Sequence, residues 1–320
     1  MSEDKTVLVT GGSGFIGGMV CRLLVESGYN VVNVDRVKRE IPGVTQYPFD
    51  LDNHQLKGVI KLIKPDTIIH LAAEKGVRRS VDDPATYYGN NVVNTINLLN
   101  HAVEFGVKNF IFSSSSTVYG EATSVPTNET HELNPINPYG KSKAIIESIL
   151  EDYKRVYNLN YVALRYFNVA GADPHLKHGY TDNPPTNLIP ILVKHVTKET
   201  PVEIFGDDWD SPDGTAVRNY THVFDIGTAH LSAINYLTDG KESGAFNLGS
   251  NKSYSIKEVI KRFEEVTGET VNYTVSSRKT GEVKETQADT TKAEQCLGWS
   301  PVYDLSDMIK HAYEWEKKQR

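Results

Sequence analysis

The stretch Gly11-Gly12-Ser13-Gly14-Phe15-Ile16-Gly17 decides the fold that the rest of the chain completes. A short apolar run from Thr6 to Thr10 precedes it, and an amphipathic stretch from about Phe15 to Ser27 follows it. Between a strand and a helix, glycines at this spacing let the chain turn tightly and let backbone N–H groups approach a pyrophosphate. The helix dipole also favours negative charge there. The motif therefore predicts a dinucleotide site.

The residues at the end of the second predicted strand bear on the choice of dinucleotide. Asp35 ends the strand that begins at Asn30, and a carboxylate there suits the ribose hydroxyls of NAD and repels the 2′-phosphate of NADP. The neighbouring Arg36 works against this preference. We expect NAD as the cofactor, with Asp50 beside its adenine.

Strands and helices alternate through the first half of the chain. Asp66 to Leu71 and Asn109 to Ser113 are further buried strands, with helical stretches at about 53–63 and 84–105. Apolar strands separated by helices predict a parallel sheet with both faces covered and its loops gathered at one edge. The predicted fold class is α/β, a Rossmann-type doubly wound parallel sheet with a smaller C-terminal α/β lobe.

The second half is less regular and carries two loop-like stretches. Gly171 to Pro190 and Gly206 to Gly214 are rich in turn-forming and polar residues, and long structured loops are usually binding elements. Ser255 to Thr267 is predicted to be a helix, because Ser255 and Glu258 have the spacing of a capping box.

Composition excludes several classes of protein. The 320 residues carry a net charge of −7, so a broad nucleic-acid surface is not expected. No apolar run approaches the roughly 20 residues that span a bilayer, and we expect no signal peptide. With only Cys21 and Cys296, a disulfide framework is not expected and a reducing cytoplasm fits.

Three histidines are candidate metal ligands. His175 and His178 are three apart, and His222 lies further on, but no cysteine or acidic cluster accompanies them at metal-ligand spacing. We expect no metal site, and we expect His222 to be a packed or hydrogen-bonded structural residue.

Tyr139 and Lys143 are four residues apart at the start of a predicted helix at 138–157, so both project from one face. Asn134 or Asn137 could cap that helix. An ammonium beside a phenol lowers the phenol pKa and produces a base near neutral pH. The run Ser113 to Gly120 leaves a strand at the loop edge, where a hydroxyl can share a proton with Tyr139; the alternative is that these serines cap backbone groups.

At this point the chain resembles the extended short-chain dehydrogenase/reductases and, within them, the UDP-glucose 4-epimerase family. The resemblance runs over nearly the whole length. It rests on the segments Val9–Gly17, Asn109–Gly120, Asn137–Lys143, Leu164–Asn168, Pro185–Pro190, Ile204–Gly206 and Asp213–Arg218.

The resemblance implies a role for each matching position. It implies that Ser115 shuttles a proton, that Tyr139 is the base and that Lys143 tunes the tyrosine. It implies cofactor contacts at Gly11, Gly14, Phe15, Ile16, Gly17, Asp35, Asp50, Leu51, Leu71, Ala72, Lys75, Asn90, Ser113, Tyr139, Lys143 and Phe167. It implies UDP-sugar contacts at Ser115, Asn168, Asn187, Leu188, Phe205, Arg218, Lys279, Glu282 and Thr286.

Several positions distinguish this chain from related enzymes. Dehydratases and UDP-glucuronate decarboxylases of the superfamily carry an acidic residue one or two places after the Ser/Thr, where this chain has Ser116 and Thr117. Both reactions are therefore disfavoured. The small Thr286 stands where the family carries a bulky tyrosine or a smaller residue, which favours UDP-GlcNAc and UDP-GalNAc as additional substrates. Lys279 and Asn219 replace the family's usual arginine and aspartate.

The function that the resemblance implies is an NAD-dependent 4-epimerase of UDP-hexoses, acting through a transient 4-keto sugar. Another epimerase, of UDP-pentoses or UDP-uronates, a nucleotide-sugar reductase and a non-catalytic NAD-sensing protein are the alternatives. We expect residues 1–168 plus about 217–240 to bind NAD, and about 169–216 plus 241–320 to bind the UDP-sugar. The helices at 84–105 and 138–157 have apolar residues to spare, which predicts a homodimer.

Overall fold

The computed structural model describes residues 5–196 and 201–319. Its strands are β1 Thr6–Thr10, β2 Asn30–Val34, β3 Val44–Tyr47, β4 Thr67–His70, β5 Asn109–Ser115, β6 Asn160–Tyr166, β7 Asn168–Ala170, β8 Val202–Phe205, β9 Val217–His222, β10 Gly244–Leu248, β11 Ser253–Ser255 and β12 Tyr273–Ser276. Its α-helices are α1 Phe15–Glu26, α2 Gln55–Ile63, α3 Val77–Asp82, α4 Pro84–Tyr88, α5 Asn94–Glu104, α6 Pro138–Tyr157, α7 Leu188–Val196, α8 Val223–Thr238, α9 Ile256–Thr267 and α10 Leu305–Lys318.

The central sheet has seven strands in the order β10-β6-β5-β4-β1-β2-β3, and every neighbouring pair is parallel. The apolar faces of α1 and α8 pack on one side of it, and those of α2, α5 and α6 pack on the other. Because the chain reverses its direction of winding between β1 and β4, the loops after these strands border a cleft at the carboxyl edge. The predicted Rossmann-type sheet is confirmed.

Strand β10 changes one predicted boundary. Residues 241–320 were expected to belong to the second lobe, but Gly244–Leu248 pairs with β6 and forms the edge of the central sheet. The expectation is wrong for this strand, because Phe246 and Leu248 are buried in the same core as α1 and α8. The rest of the division into lobes stays a prediction.

The second lobe is built from small sheets and three helices. β7, β9 and β11 form a three-stranded sheet, and β8 pairs with β12. Helices α7, α9 and α10 bury their apolar faces in a core of their own with β8 and β9. The predicted capping box of α9 is confirmed, since Ser255 and Glu258 each accept a hydrogen bond from the other's backbone N–H.

The helix predicted at 84–105 is interrupted by a π-helical turn at Gly89–Val93, between α4 and α5. The wider turn carries Asn91, whose side chain accepts a hydrogen bond from Glu74 N at 2.7 Å and donates to Glu74 O at 3.0 Å and to Ser142 Oγ at 3.1 Å. The prediction of one continuous helix is therefore corrected: the turn positions an amide that ties the loop after β4 to α6.

Among the described residues, no helix combines the length and the apolar character that a membrane crossing requires.

Candidate functional site

The glycine loop after β1 is too crowded for side chains. A Cβ at Gly17 would lie 2.1 Å from the carbonyl oxygen of Gly11, and one at Gly11 would lie 2.6 Å from Ala72 N. Gly11 also has a φ of +79°, which favours glycine. No side chain within the described ranges caps the first turn of α1, which leaves its backbone N–H groups for a ligand. The loop therefore fits a pyrophosphate.

Asp35 lies directly beside this loop. Its Oδ2 accepts a hydrogen bond from Ser13 N at 2.9 Å, and its Oδ1 accepts one from Val37 N at 2.8 Å. In the loop after β3, Asp50 Oδ1 accepts a hydrogen bond from Leu51 N at 2.7 Å, and Leu51 is buried. The structure therefore brings Asp35 into contact with the glycine loop and places Asp50 and Leu51 at the same edge of the sheet, after β3.

The remaining predicted cofactor residues follow β4, β5 and β6 on the same edge. Leu71 and Ala72 come directly after β4, and Ala72 N donates to Thr10 Oγ1 at 3.5 Å. Lys75 forms an ion pair with Asp182 from the Gly171–Pro190 loop. Asn90, Ser113 and Phe167 occupy the π-helical turn, β5 and the residue after β6 respectively.

The predicted catalytic residues converge where β5 meets α6. Asn137 is the residue that caps α6, since its Oδ1 accepts from Gly140 N at 2.8 Å. One turn on, Lys143 is buried and its Nζ donates to Ser113 O at 2.8 Å. Ser115 ends β5, and its Oγ accepts hydrogen bonds from Thr117 N at 3.2 Å and from Thr117 Oγ1 at 3.0 Å. The same hydroxyl acts on the phenol of Tyr139, whose pKa it lowers. The alternative that these serines cap backbone groups is therefore confirmed for Ser115, whose hydroxyl caps the turn after β5 and also interacts with Tyr139.

The electrostatics of this group differ from the expectation. Burial raises the pKa of Tyr139, and the hydrogen bond with Ser115 opposes that rise. Burial lowers the pKa of Lys143 to about 7, against the opposing charge of Glu147. The expected net lowering of the Tyr139 pKa is wrong for the protein groups alone, because burial dominates. Lys143 Nζ lies 5.8 Å from the phenol ring centroid while it donates to a backbone oxygen.

A cationic cluster borders the second lobe's side of the cleft. The ring of Phe205 has the Arg78 guanidinium 4.0 Å and the Lys279 ammonium 4.3 Å from its centroid. Glu282 pairs with Arg78 at 2.8 Å and with Arg218 at 3.7 Å. The structure thus brings four predicted substrate residues together and adds Arg78, which the sequence reasoning missed. Positive charges gathered here suit a diphosphate.

The other predicted substrate residues surround β7 and β9. Asn168 Nδ2 donates to Asn219 O at 3.0 Å, and Thr286 Oγ1 accepts from Asn219 N at 3.3 Å. Asn219 is fully buried, and its side-chain amide both donates and accepts hydrogen bonds around Ser250, which an aspartate could not do. Asn187 and Leu188 lie apart from these, at the start of α7.

A buried ion pair behind the catalytic group was also missed. Glu147 accepts from Arg165 Nη2 at 2.6 Å and from the hydroxyl of Ser114, and both charged side chains are buried. The spacing of Lys143 and Glu147 on one helix was a usable signal, but the arginine comes from β6.

The histidines have structural partners. His178 is buried and its Nε2 forms a hydrogen bond with Phe15 O at 2.6 Å, so the Gly171–Pro190 loop contacts the glycine loop. His222 caps α8 and forms a hydrogen bond with His311 at 3.0 Å, as a structural residue should. Across residues 5–196 and 201–319, no three His, Cys, Asp or Glu side chains cluster as metal ligands.

The comparisons with known proteins agree with this geometry. Residues 7–249 match the model of the NAD dependent epimerase/dehydratase family. The chain belongs to this family. NAD is therefore its cofactor, as the glycine loop and Asp35 predicted.

Among its relatives is a UDP-glucose 4-epimerase from Halalkalibacterium halodurans, 40% identical, with 98% of this chain and 96% of that protein covered. A structure of UDP-glucose 4-epimerase from Bifidobacterium longum in complex with NAD+ and UDP superposes with a TM-score of 0.92 at 36% identity, covering 98% of each chain. The UDP-Glc/GlcNAc 4-epimerase of Campylobacter jejuni gives a TM-score of 0.84 at 35% identity, covering 98% of this chain and 99% of that one.

Proposed function

We propose that this chain is an isomerase, an NAD-dependent 4-epimerase that interconverts UDP-glucose and UDP-galactose. The observation that carries the proposal is the convergence of Ser115, Tyr139 and Lys143 where β5 meets α6, at the same edge of the sheet as the glycine loop. Ser116 and Thr117 supply no carboxylate next to Ser115, so the site lacks the acidic residue that its dehydratase cousins use. The names of the relatives support the same reaction.

Ser115, Tyr139 and Lys143 have different roles in the proposed reaction. Tyr139 takes the proton of the sugar 4-hydroxyl, directly or through Ser115, and later returns it. The glycine loop and Asp35 would hold NAD, which when bound would supply the acceptor and later the donor of the hydride at carbon 4 of the sugar. Lys143 supplies a nearby positive charge while it is protonated, and the nicotinamide of NAD+ supplies another, so both favour the phenolate that burial disfavours.

The UDP moiety is held on the side of the second lobe. Arg218 and Lys279 would bind its diphosphate, and Phe205, whose ring Lys279 contacts, would lie beside its uracil. Binding of the diphosphate competes with the ion pair that Glu282 now makes with Arg218. The sugar must stay loosely held, because the 4-keto form has to present both faces to the same cofactor.

The test is to incubate the purified protein with UDP-galactose and no added cofactor, and to identify the products. Formation of UDP-glucose supports the epimerase. A requirement for stoichiometric NADPH would indicate a reductase, and an absence of chemistry would indicate a binding protein. UDP-xylose and UDP-glucuronate in parallel samples distinguish the pentose and uronate epimerases.

We also propose that N-acetylated sugars are accepted, because Thr286 leaves room beside the sugar. Its hydroxyl already accepts a hydrogen bond from Asn219 N, so the proposal depends on the small volume of the side chain. Thr286→Tyr should reduce turnover of UDP-GlcNAc while that of UDP-glucose changes little. Equal loss with both sugars would contradict the assignment.

The proposed assembly is a homodimer, formed through the outer faces of α5 and α6. Ile145, Val156 and Tyr157 are exposed on α6, and Tyr153 Oη donates to Asn100 Oδ1 on α5 at 2.6 Å, which joins the two helices into one surface. A cytoplasmic location is proposed as well, and both cysteines are unpaired in the structure, as a reducing compartment allows.

A further inference from the structure

Two adjacent residues at the end of β2 favour different cofactors. Asp35 suits NAD, whereas an arginine at the next position is a typical partner for the 2′-phosphate of NADP. In the structure, both carboxylate oxygens of Asp35 accept backbone hydrogen bonds, which keeps its charge beside the glycine loop. Arg36, however, is not free: its Nη1 lies 2.9 Å from Glu74 Oε1. The partner of Arg36 therefore decides what this guanidinium can bind.

Glu74 is built into the loop after β4. Its side chain is 9% exposed, against 59% for Arg36, and Asn91 holds its backbone through two hydrogen bonds. A second arginine, Arg79, lies 3.4 Å from its other carboxylate oxygen. Because β4 and β2 lie on either side of β1 in the sheet, the Arg36–Glu74 pair spans the edge at which the glycine loop binds pyrophosphate.

We propose that Glu74 makes the site selective for NAD over NADP by keeping Arg36 paired. With Glu74 ionised, Asp35 and Glu74 together offset the charges of Arg36 and Arg79, so a 2′-phosphate meets no net attraction. Without that carboxylate, two guanidinium groups remain beside one aspartate, and arginine binds phosphate strongly through paired N–H donors. The ribose hydroxyls of NAD carry no such charge, so NAD binding should change much less.

The test is Glu74→Gln, which keeps the size of the side chain and removes its charge. Purified protein is exchanged with equal concentrations of NAD+ and NADP+, desalted, and the bound nucleotides are released by heat and quantified. We expect the bound NADP:NAD ratio to rise by at least about tenfold, because a charge-assisted hydrogen bond contributes a binding free energy that corresponds to about this factor. An unchanged ratio in the folded variant would overturn the proposal.

Two further variants separate the ion pair from a general effect of charge. Glu104→Gln removes another carboxylate that forms an ion pair with a basic residue, Lys57, at 2.7 Å. Glu104 is the last residue of α5, which precedes β5, so it lies at the opposite edge of the sheet from the glycine loop. Its ratio should stay at the parental value, and a rise equal to that of Glu74→Gln would overturn the proposal. Adding Arg36→Gln to Glu74→Gln should restore the parental ratio, and a persistent rise would equally contradict it. Occupancy is read without any sugar substrate, so this result is independent of the UDP-galactose assay.

Discussion

Lys143 is a charged residue that is buried in the proposed catalytic site. Its ammonium has Ser113 O as a hydrogen-bond acceptor and the Phe112 ring 4.9 Å away, and burial brings its pKa down from 10.5 to about 7. The folded chain therefore holds fewer protons than the unfolded chain between about pH 7 and pH 10.5. Stability should rise with pH across this window as the cost of the buried charge disappears.

Replacement of Lys143 by methionine tests whether stability rises with pH because of this residue. Lys143→Met carries no titratable group there, so the stability of the parent relative to the variant should increase from pH 7 to pH 10. Urea unfolding of both proteins at intervals across that range measures the difference. A constant difference would show that Lys143 titrates near its ordinary pKa in the folded chain.

Tyr139 is the proposed base, and replacement by phenylalanine removes its hydroxyl while keeping its ring. Tyr139→Phe should lower kcat by roughly 10²–10⁴, the usual contribution of a positioned acid–base group. Binding of UDP, measured by calorimetry, should stay within about twofold, since no predicted UDP contact involves this hydroxyl. Turnover near the parental rate would remove Tyr139 from the mechanism.

Local spacing predicted some of these residues and could not predict others. Tyr139 and Lys143 are one helical turn apart, and Asp35 follows a glycine loop, so short-range patterns were sufficient. Arg78 and Glu282 meet only because the start of α3 lies against the second lobe. No local pattern carries that pairing, since it depends on how two distant segments pack.

Helix α6 holds the proposed catalytic residues, and a buried ion pair fixes it to the sheet. Glu147→Gln should destabilise the chain by about 3 kcal/mol, because Arg165 would keep a buried charge without its counter-ion. The control is Asp152→Asn on the same helix, whose arginine partner Arg155 is exposed, and it should cost less than about 1 kcal/mol. Urea unfolding measures both, and equal losses would contradict the account.

The elements show where periodicity is informative and where it is not. The limits of α1, α6 and α9 follow from their amphipathic patterns and caps, and the structure reproduces them within a residue or two. The π-helical turn at Gly89–Val93 leaves the apolar pattern of 84–105 almost unchanged, so only the hydrogen bonds of Asn91 reveal it. The sequence pattern also does not show which strands pair in a sheet, and for this reason the prediction placed β10 in the wrong lobe.

At the scale of the whole molecule, the proposed dimer gives a direct prediction. The parent should sediment with the mass of two chains, and Ile145→Glu should shift it to one, because a charge in a paired-helix interface loses its water without gaining a partner. The matched control is Val302→Glu, since Val302 is 77% exposed and lies outside both helices. A parent that sediments as a single chain would contradict the proposed dimer.

The position of β10 has a consequence for how this chain is made. Strand β6 is completed at Tyr166, but its neighbour at the sheet edge is not synthesised until Gly244–Leu248. On the ribosome, β6 therefore keeps one unpaired edge while the residues between Tyr166 and Gly244 are synthesised. Open edges pair readily with other chains. The nucleotide-binding sheet therefore lacks its edge strand until late in synthesis, and protection of β6 against pairing with other chains depends on β10.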